Sequence, residues 1–478
     1  MASFGIVIMA AGKGTRLKSA LPKVLHSVGG KTLLLHVIDA AKKIVATDQV
    51  LVVVGHQAER VEAATKTSGV HFVLQPEQLG TGHALQCVKQ WFAAKKQAAP
   101  ENLLVLSGDV PLIRPETIAA LRDTHLNAHV AMTILTAIPE NATGYGRVLR
   151  RQDGTRDVEA IVEQKSLTAE LLATPERLAE INSGIYAFNT EKLFAHLDEL
   201  KNSNSAGEYY LTDVAATLVR DGERVVAITA DRVDEVLGAN TIAEVMHLDA
   251  SLREATAKKL MAAGVTIFRP DTVVIDAEVE IAADTILEPF VQVLGNTKIG
   301  TGCRVRSYSV IENCVIGDNV LVRNGCVLAD STIGEGAQIG PYTHVRPESR
   351  IGANAHLGNF VETKKTTLGD RSKANHLAYL GDAVIGANTN IGAGVITCNY
   401  DGVHKHRTTI GDDVFVGSDS TLVAPLTVEN GAYIAAGSSI TDDVPADALA
   451  LARSRQVTKP DWAKHKREAL LVAKQAHS

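Results

Sequence analysis

Three sets of residues in this 478-residue chain have the types and spacing that chemistry needs. The first is Ala10-Ala11-Gly12-Lys13-Gly14-Thr15-Arg16, with Pro22-Lys23 following. A Gly-rich turn after a strand offers backbone N–H groups to a phosphate, and Lys13, Arg16 and Lys23 add positive charge. It is neither of two familiar phosphate loops. Leu17 stands where a dinucleotide fingerprint needs Gly, and Leu25 where a Walker A motif ending in Gly30-Lys31-Thr32 needs its first Gly. A structural turn is the competing reading. The second set is Ser107-Gly108-Asp109, behind the apolar run Leu103–Leu106. A carboxylate at the carboxyl end of a parallel strand suits Mg²⁺, which holds phosphates through few protein ligands; a turn cap before Pro111 is the alternative. The third is His376 with Arg346, Lys364, Tyr379 and Asn390. One His near two cations and a Tyr suits acid/base work beside an anion, although a lone His in a repeat also serves structure.

Two kinds of element must position these groups. From residue 1 to about 240, strand-like runs (Gly5–Ala11, Val50–Val54, His71–Leu74, Asn102–Ser107, Ala131–Ala137) alternate with helical stretches such as Thr32–Val45 and Pro115–Leu121. That alternation implies βαβ units and a mostly parallel sheet covered on both faces. Thr241 and Glu244 have capping-box spacing, so one long helix is expected from there to about residue 263. Beyond residue 280 the apolar residues fall six apart: Ile281, Leu287, Val293, Ile299, Val305, Ile311, and onward through Ile333, Ile339, Val345, Ile351, Leu357 to Ile434 and Ile440. Neither 3.6 nor 2.0 gives that period, whereas a hexapeptide solenoid does, each unit forming one flat side of a narrow prism. Loops are expected at two interruptions: around Thr363-Lys364-Lys365, between Leu357 and Leu368, and from Thr397 to Thr409. The domain boundaries read from this are 1–240, a helical linker 241–264, and 265–478.

Composition narrows the class. An apolar fraction of 45% with 21% charged residues is globular, and a net charge of −6 argues against coating nucleic acid or anionic lipid. Five cysteines without a CxxC pair read as reduced thiols. No apolar run reaches bilayer length, and the first residues lack a basic region before Phe4–Met9, so neither a membrane span nor a signal peptide is expected. The expectation is a soluble, cytoplasmic, multi-domain protein.

The loop 10–16 with Leu21-Pro22-Lys23 resembles the signature of sugar-1-phosphate nucleotidylyltransferases. Gln75, Gln78-Leu79-Gly80-Thr81, Gly144-Tyr145-Gly146-Arg147, Ile161-Val162-Glu163 and Asn182-Ser183-Gly184 resemble its later motifs in order. Joined to a hexapeptide solenoid, the chain resembles, over about residues 4–455, the bacterial family of bifunctional N-acetylglucosamine-1-phosphate uridylyltransferases / glucosamine-1-phosphate N-acetyltransferases. The resemblance implies an α/β fold: a Rossmann-like nucleotidylyltransferase domain, a linking helix, and a left-handed parallel β-helix. It implies UDP-N-acetylglucosamine synthesis, for peptidoglycan and lipopolysaccharide, by acetyl transfer from acetyl-CoA and then uridylyl transfer from UTP. Met9, Ala10, Ala11, Gly12, Arg16 and Lys23 would hold the nucleotide together with Ser107 and Gly108; Gln75, Gln78, Gly80 and Thr81 would read uracil. Gly146, Glu163 and Asn182 would take the sugar, and Asp109 and Asn240 Mg²⁺. Ser107 and Met9 stand where some members carry Tyr and Leu. His376 would be the base on the glucosamine amine, Arg346 and Lys364 the grip on the sugar phosphate, and Tyr379 and Asn390 the orienting groups, with Glu362 a candidate partner for the His. Acetyl-CoA would lie along Ala393, Asn399, Tyr400, Ser418, Ala436 and Arg453, in a homotrimer whose neighbouring prisms complete each site. A basic tail beyond Arg455 reads as solvated. Three other functions compete: a monofunctional nucleotidylyltransferase with an oligomerising solenoid, a hydratase holding metal on His344, His356 and His376, and a purely structural scaffold, against which Asp109 and Lys23 argue.

Overall fold

A computed structural model describes residues 3–155, 157–202 and 207–476. The chain divides into two compact units, 1–256 and 257–478, with the division inside the helix Ile242–Ala262.

The first unit is built on a sheet whose strands run, edge to edge, Val225–Thr229, Met132–Ala137, Ile181–Asn189, Asn102–Ser107, Phe4–Met9, Val50–Val54 and His71–Leu74. All pairings along this path are parallel except the two made by Ile181–Asn189, which runs against both neighbours. The expected mostly parallel sheet is therefore present with one reversed strand, which alternation of strand and helix could not reveal. Apolar residues face both ways because both faces are covered. Ile6 and Ile8 pack with Leu34, Val37 and Ile38 of the helix Leu33–Lys42, while Val7 packs with Leu85 and Val88 of Thr81–Lys95. Helix starts follow local chemistry: the Thr32 hydroxyl accepts from the Leu35 N–H, and Pro115 opens Pro115–Ala128, which runs a full two turns beyond the expected Leu121. The first strand lies between the second and the fourth, so the chain turns opposite ways from it. The carboxyl ends of Phe4–Met9 and Asn102–Ser107 thus flank the switch point where open α/β sheets bind ligands.

The second unit is a parallel β-helix. Three sheets of 11, 10 and 9 short strands form its walls, and each strand pairs with one 17 or 18 residues away over most of its length, a full coil. Every aliphatic of the six-residue series points inward: Leu287, Val293, Ile311, Leu328, Ile339, Val345, Leu357, Leu380, Val416, Leu422, Val428 and Ile434 are fully buried, and Ile281 is the most exposed at 7%. Each such burial is worth about 1.5–3 kcal/mol, and stacking makes the sum continuous. One expected loop is absent. Between Leu357 and Leu368 the interior place is filled by Thr363, fully buried with its hydroxyl on Ser349 Oγ at 3.2 Å, so Glu362–Lys364 is an ordinary strand. A small hydroxyl replaced the aliphatic and hid the register. The second interruption is a true insertion, a hairpin closed by a bridge between Tyr400 and Lys405. The tail forms an exposed helix, Trp462–Ala476.

Candidate functional site

At the switch point, the loop after Phe4–Met9 and the end of Asn102–Ser107 enclose a cleft of about 500 Å³. Met9, Ala10, Ala11, Gly12, Lys23, Gln75, Gln78, Gly80, Thr81, Ser107 and Asp109 line it, as does Glu208. Gly80 is required by shape: its φ is +100°, and a Cβ would stand 2.6 Å from the Tyr209 carbonyl oxygen. Gln75 Nε2 donates to that glycine's carbonyl at 3.0 Å and Gln78 Nε2 to the Gln75 carbonyl at 3.1 Å, fixing the rim. Gly108 lies behind the cleft, its N–H on the Met9 carbonyl at 3.0 Å.

The charged centre joins distant parts of the first unit. The Lys23 ammonium pairs with Asp109 Oδ2 and donates to Asn240 Oδ1 at 2.9 Å, which also accepts from Arg16 at 2.7 Å. Ser107 Oγ donates to Asp109 Oδ1 at 2.6 Å. Two oxygen donors, one ionised, thus converge on a single cation, the chemistry a hard divalent ion selects, so the residues fit Mg²⁺. Asn240 is held from behind: Glu244 Oε2 accepts the N–H groups of Asn240 and Thr241 at 2.5 and 3.2 Å, and the Thr241 hydroxyl accepts from Glu244 N–H at 3.2 Å. The capping box expected from spacing therefore anchors the residue whose side chain meets Lys23 and Arg16. Gly238 was invisible to motif reading, yet a Cβ there would sit 2.9 Å from Asp109 Oδ2.

A second group in this unit is Gly146, Glu163 and Asn182. Gly146 O accepts the Asn182 N–H at 2.9 Å, and Thr212 Oγ1 lies 3.4 Å from Glu163 Oε1. Burial raises the Glu163 carboxyl above its ordinary value. A bulge between Asn182 and Ile185, where Gly184 has φ +77°, turns Asn182 Nδ2 onto Tyr186 Oη at 2.8 Å.

In the second unit, Asn359, His376, Ala393, Ser418 and Ala436 occupy one corner on successive coils. Each carbonyl from Asn359 to Ser418 accepts the N–H that follows the next member, at 3.0, 3.4, 2.7 and 2.8 Å (Leu377, Gly394, Asp419, Gly437). Arg453 continues the column beside Gly437. Coils rise about 4.8 Å each, so the column is an extended track with His376 near one end. His376 Nδ1 meets Asn359 Oδ1 at 2.7 Å. With the amide oxygen accepting, Nδ1 carries the proton and Nε2 the lone pair. Glu362 is not that partner; it accepts from Arg346 at 2.7 Å. Asn359 escaped sequence reading because its pairing runs across coils, 17 residues away.

Arg346, Lys364 and Tyr379 belong to the adjacent wall, the two cations at its far end, about 10 Å from the His376 corner at ~3.3 Å per strand residue. Asn390 lies on the wall of the His376 strand. Lys405, from the insertion, contacts Lys364 and with Arg346 holds the Lys364 ammonium below its ordinary value. Asn399 Nδ2 donates to Asp382 Oδ2 at 2.5 Å, and Tyr400 Oη to the Gly402 carbonyl at 2.5 Å. His344 lies on a different wall from His356 and His376, so the structure does not assemble those three as a metal set.

Comparison with known proteins agrees with this division. A family model described as "MobA-like NTP transferase domain" matches residues 6–182. "Bacterial transferase hexapeptide (six repeats)" matches 278–313 and 330–365, and "Hexapeptide repeat of succinyl-transferase" matches 407–442. Among full-length relatives, the "Bifunctional protein GlmU" of Koribacter versatilis is 56% identical, covering 97% of both chains. Proteins of the same name from Exiguobacterium sibiricum (46%, covering 95% of this chain and 99% of the relative) and Trichlorobacter lovleyi (45%, 98% and 100%) follow.

Proposed function

The chain belongs to the family of bifunctional GlmU proteins, and from that premise we propose how its residues divide two reactions. The enzyme acetylates glucosamine-1-phosphate from acetyl-CoA and transfers a uridylyl group from UTP to N-acetylglucosamine-1-phosphate, making UDP-N-acetylglucosamine. The observation that carries our assignment is the existence of two charged sites with no residue in common, one in each unit.

In the first unit, the cleft takes UTP, its backbone turn and Lys23 on the phosphates and the Gln75–Thr81 rim on uracil. Gly146, Glu163 and Asn182 take the sugar. Asp109 and Asn240 would hold Mg²⁺, which when bound neutralises phosphate charge. A phosphate oxygen of the sugar phosphate attacks the α-phosphorus in line, and pyrophosphate leaves. Lys23 and Arg16 stabilise the charge that accumulates, so positioning and electrostatics carry the rate.

In the second unit, His376 Nε2 takes the proton as the amine attacks the thioester carbonyl, the C–S bond breaks and CoA leaves as its thiolate, and Asn359 fixes the tautomer. Arg346, Lys364 and Lys405 grip the phosphate, with Tyr379 and Asn390 orienting the sugar. The column Ala393, Ser418, Ala436 and Arg453 forms the track for acetyl-CoA, with Asn399 and Tyr400 at its side. A homotrimer is supported by the separation of the cations, on one wall, from the base, on the adjacent one, and by large apolar residues at the His376 corner. Phe290, Tyr308, Tyr342, Phe360 and Leu377 are 49–65% exposed there with φ of 51–67°, where other coils carry Gly325, Gly394 and Gly437. Strain of about 1 kcal/mol or more at each is retained for an exposed apolar stripe, which a second prism would cover. We also assign the enzyme to the cytoplasm. Its five cysteines are all free, and no helix among the described residues is long and apolar enough to cross a membrane. The test is a single mixture of glucosamine-1-phosphate, acetyl-CoA and UTP, followed for UDP-N-acetylglucosamine. Free acetylated sugar phosphate without nucleotide sugar, or the reverse, would remove one half of the assignment.

A further inference from the structure

The insertion in the solenoid raises a physical question: what keeps Lys405 against Lys364, where two ammonium groups repel? Asp382, the acid that acts on Lys364, is engaged by Asn399 at 2.5 Å, and Glu362 by Arg346. A loose loop would swing Lys405 into solvent. Asp401 braces the turn that carries it. Its Oδ1 accepts from the N–H groups of Val403 and His404 at 2.8 and 2.7 Å, and its Oδ2 meets His406 Nε2 at 2.7 Å. The Asp401 N–H donates to the His404 carbonyl at 3.2 Å, and the His406 N–H to the Asn399 carbonyl at 2.8 Å. Both side-chain oxygens and the backbone N–H of Asp401 thus brace the turn, alongside the Tyr400 Oη bond to the Gly402 carbonyl, and Lys405 lies between two residues that this carboxylate holds. These bonds, His406 first, also hold the Asp401 carboxyl at about 2, so it is ionised near neutral pH.

We propose that Asp401 is a positioning residue for acetyl transfer: by clasping His406 and the turn backbone it pre-orders the insertion so that Lys405 joins Arg346 and Lys364 in one site for a sugar-phosphate dianion. The proposal rests on the acetyltransferase reading above. Its logic is preorganisation. The cost of assembling three cations is met in folding, so the phosphate finds its partners already assembled.

The experiment compares Asp401→Ala, Asp401→Asn, Lys405→Ala and the double variant Asp401→Ala/Lys405→Ala in the full-length enzyme. For Asp401→Ala, the KM for glucosamine-1-phosphate should rise roughly 10-fold while kcat changes by less than about 3-fold, and Asp401→Asn should recover part of that loss. Uridylyl transfer in the same preparations should be unchanged, which controls for folding. Because Asp401 acts through Lys405, the double variant should be no worse than Lys405→Ala alone. An unmoved KM in Asp401→Ala, a kcat loss with no change in KM, or losses that multiply in the double variant would overturn the proposal. A wild-type enzyme that acetylates no glucosamine-1-phosphate would instead overturn the reading beneath it.

Discussion

His376 and His125 show how one residue type takes opposite roles through its surroundings. His376 is exposed at a corner with one nitrogen on Asn359 and the other open to solvent. His376→Ala should lower acetyl transfer by more than ~10²-fold, the usual worth of a positioned base, and leave uridylyl transfer near wild type. Separate assays of the two half-reactions check this; equal loss of both would point to misfolding. His125 is 2% exposed, set between Asn102 Oδ1 at 3.2 Å and Thr133 Oγ1 at 3.0 Å, and burial pushes its pKa down to about 4 from 6.5. Between those values the unfolded chain binds a proton that the folded one refuses, so stability falls as pH falls through that window. The slope should approach ~1.4 kcal/mol per pH unit. Thermal melts of wild type and His125→Gln from pH 7 to 4 measure it; parallel curves for the two proteins would exclude His125 as the cause.

At the scale of elements, the start of Ile242–Ala262 does two jobs. Its capping box fixes Asn240 against Lys23, and its first turns pack Val245 and Leu248 with Leu17, Val28, Leu33 and Ala239. A fragment ending at residue 232 loses both, so its failure would mix lost core with lost ligand. The cleaner pair is a fragment 1–255 and the same fragment carrying Asn240→Ala. The first should keep uridylyl transfer without the solenoid. The second should stay folded by circular dichroism yet need at least roughly 10-fold more Mg²⁺ for half-maximal rate, the scale expected when a metal site loses a ligand or its support. Equal Mg²⁺ requirements would remove Asn240 from the metal site.

At the scale of the molecule, the exposed corner stripe makes association the expectation. Phe360→Lys, placing a charge between Tyr342 and Leu377, should shift sedimentation from trimer toward monomer. It should lower acetyl transfer while uridylyl transfer persists, because in the proposed assembly only the acetyl site is completed by a neighbouring prism. The neighbouring ring of Tyr342 stacks on Phe360 with centroids 5.7 Å apart, so the substitution also removes one self-contact of the stripe. An active wild-type monomer at assay concentration would defeat the trimer.

The solenoid was legible residue by residue, because a six-residue inward period is a local rule and aliphatic side chains obey it whatever the rest of the chain does. The cleft of the first unit was legible as motifs, since backbone N–H groups and a strand-end carboxylate depend on a few consecutive residues. Thr363 shows the limit of pattern: a buried hydroxyl satisfied on Ser349 fills an aliphatic place without announcing it. Pairings across space lay beyond the sequence read from its own residues. The reversed strand Ile181–Asn189, Lys405 against Lys364, and Gly238 over Asp109 each join residues whose separation along the chain carries no periodic signal, while Asn359 under His376 follows the 17-residue coil but pairs two polar side chains that the aliphatic pattern does not mark. Local chemistry is written in neighbours, so the sequence determined the two fold types and named the candidate residues of each site. Which of those residues meet is decided by strand order and coil stacking, and only the tertiary structure sets these.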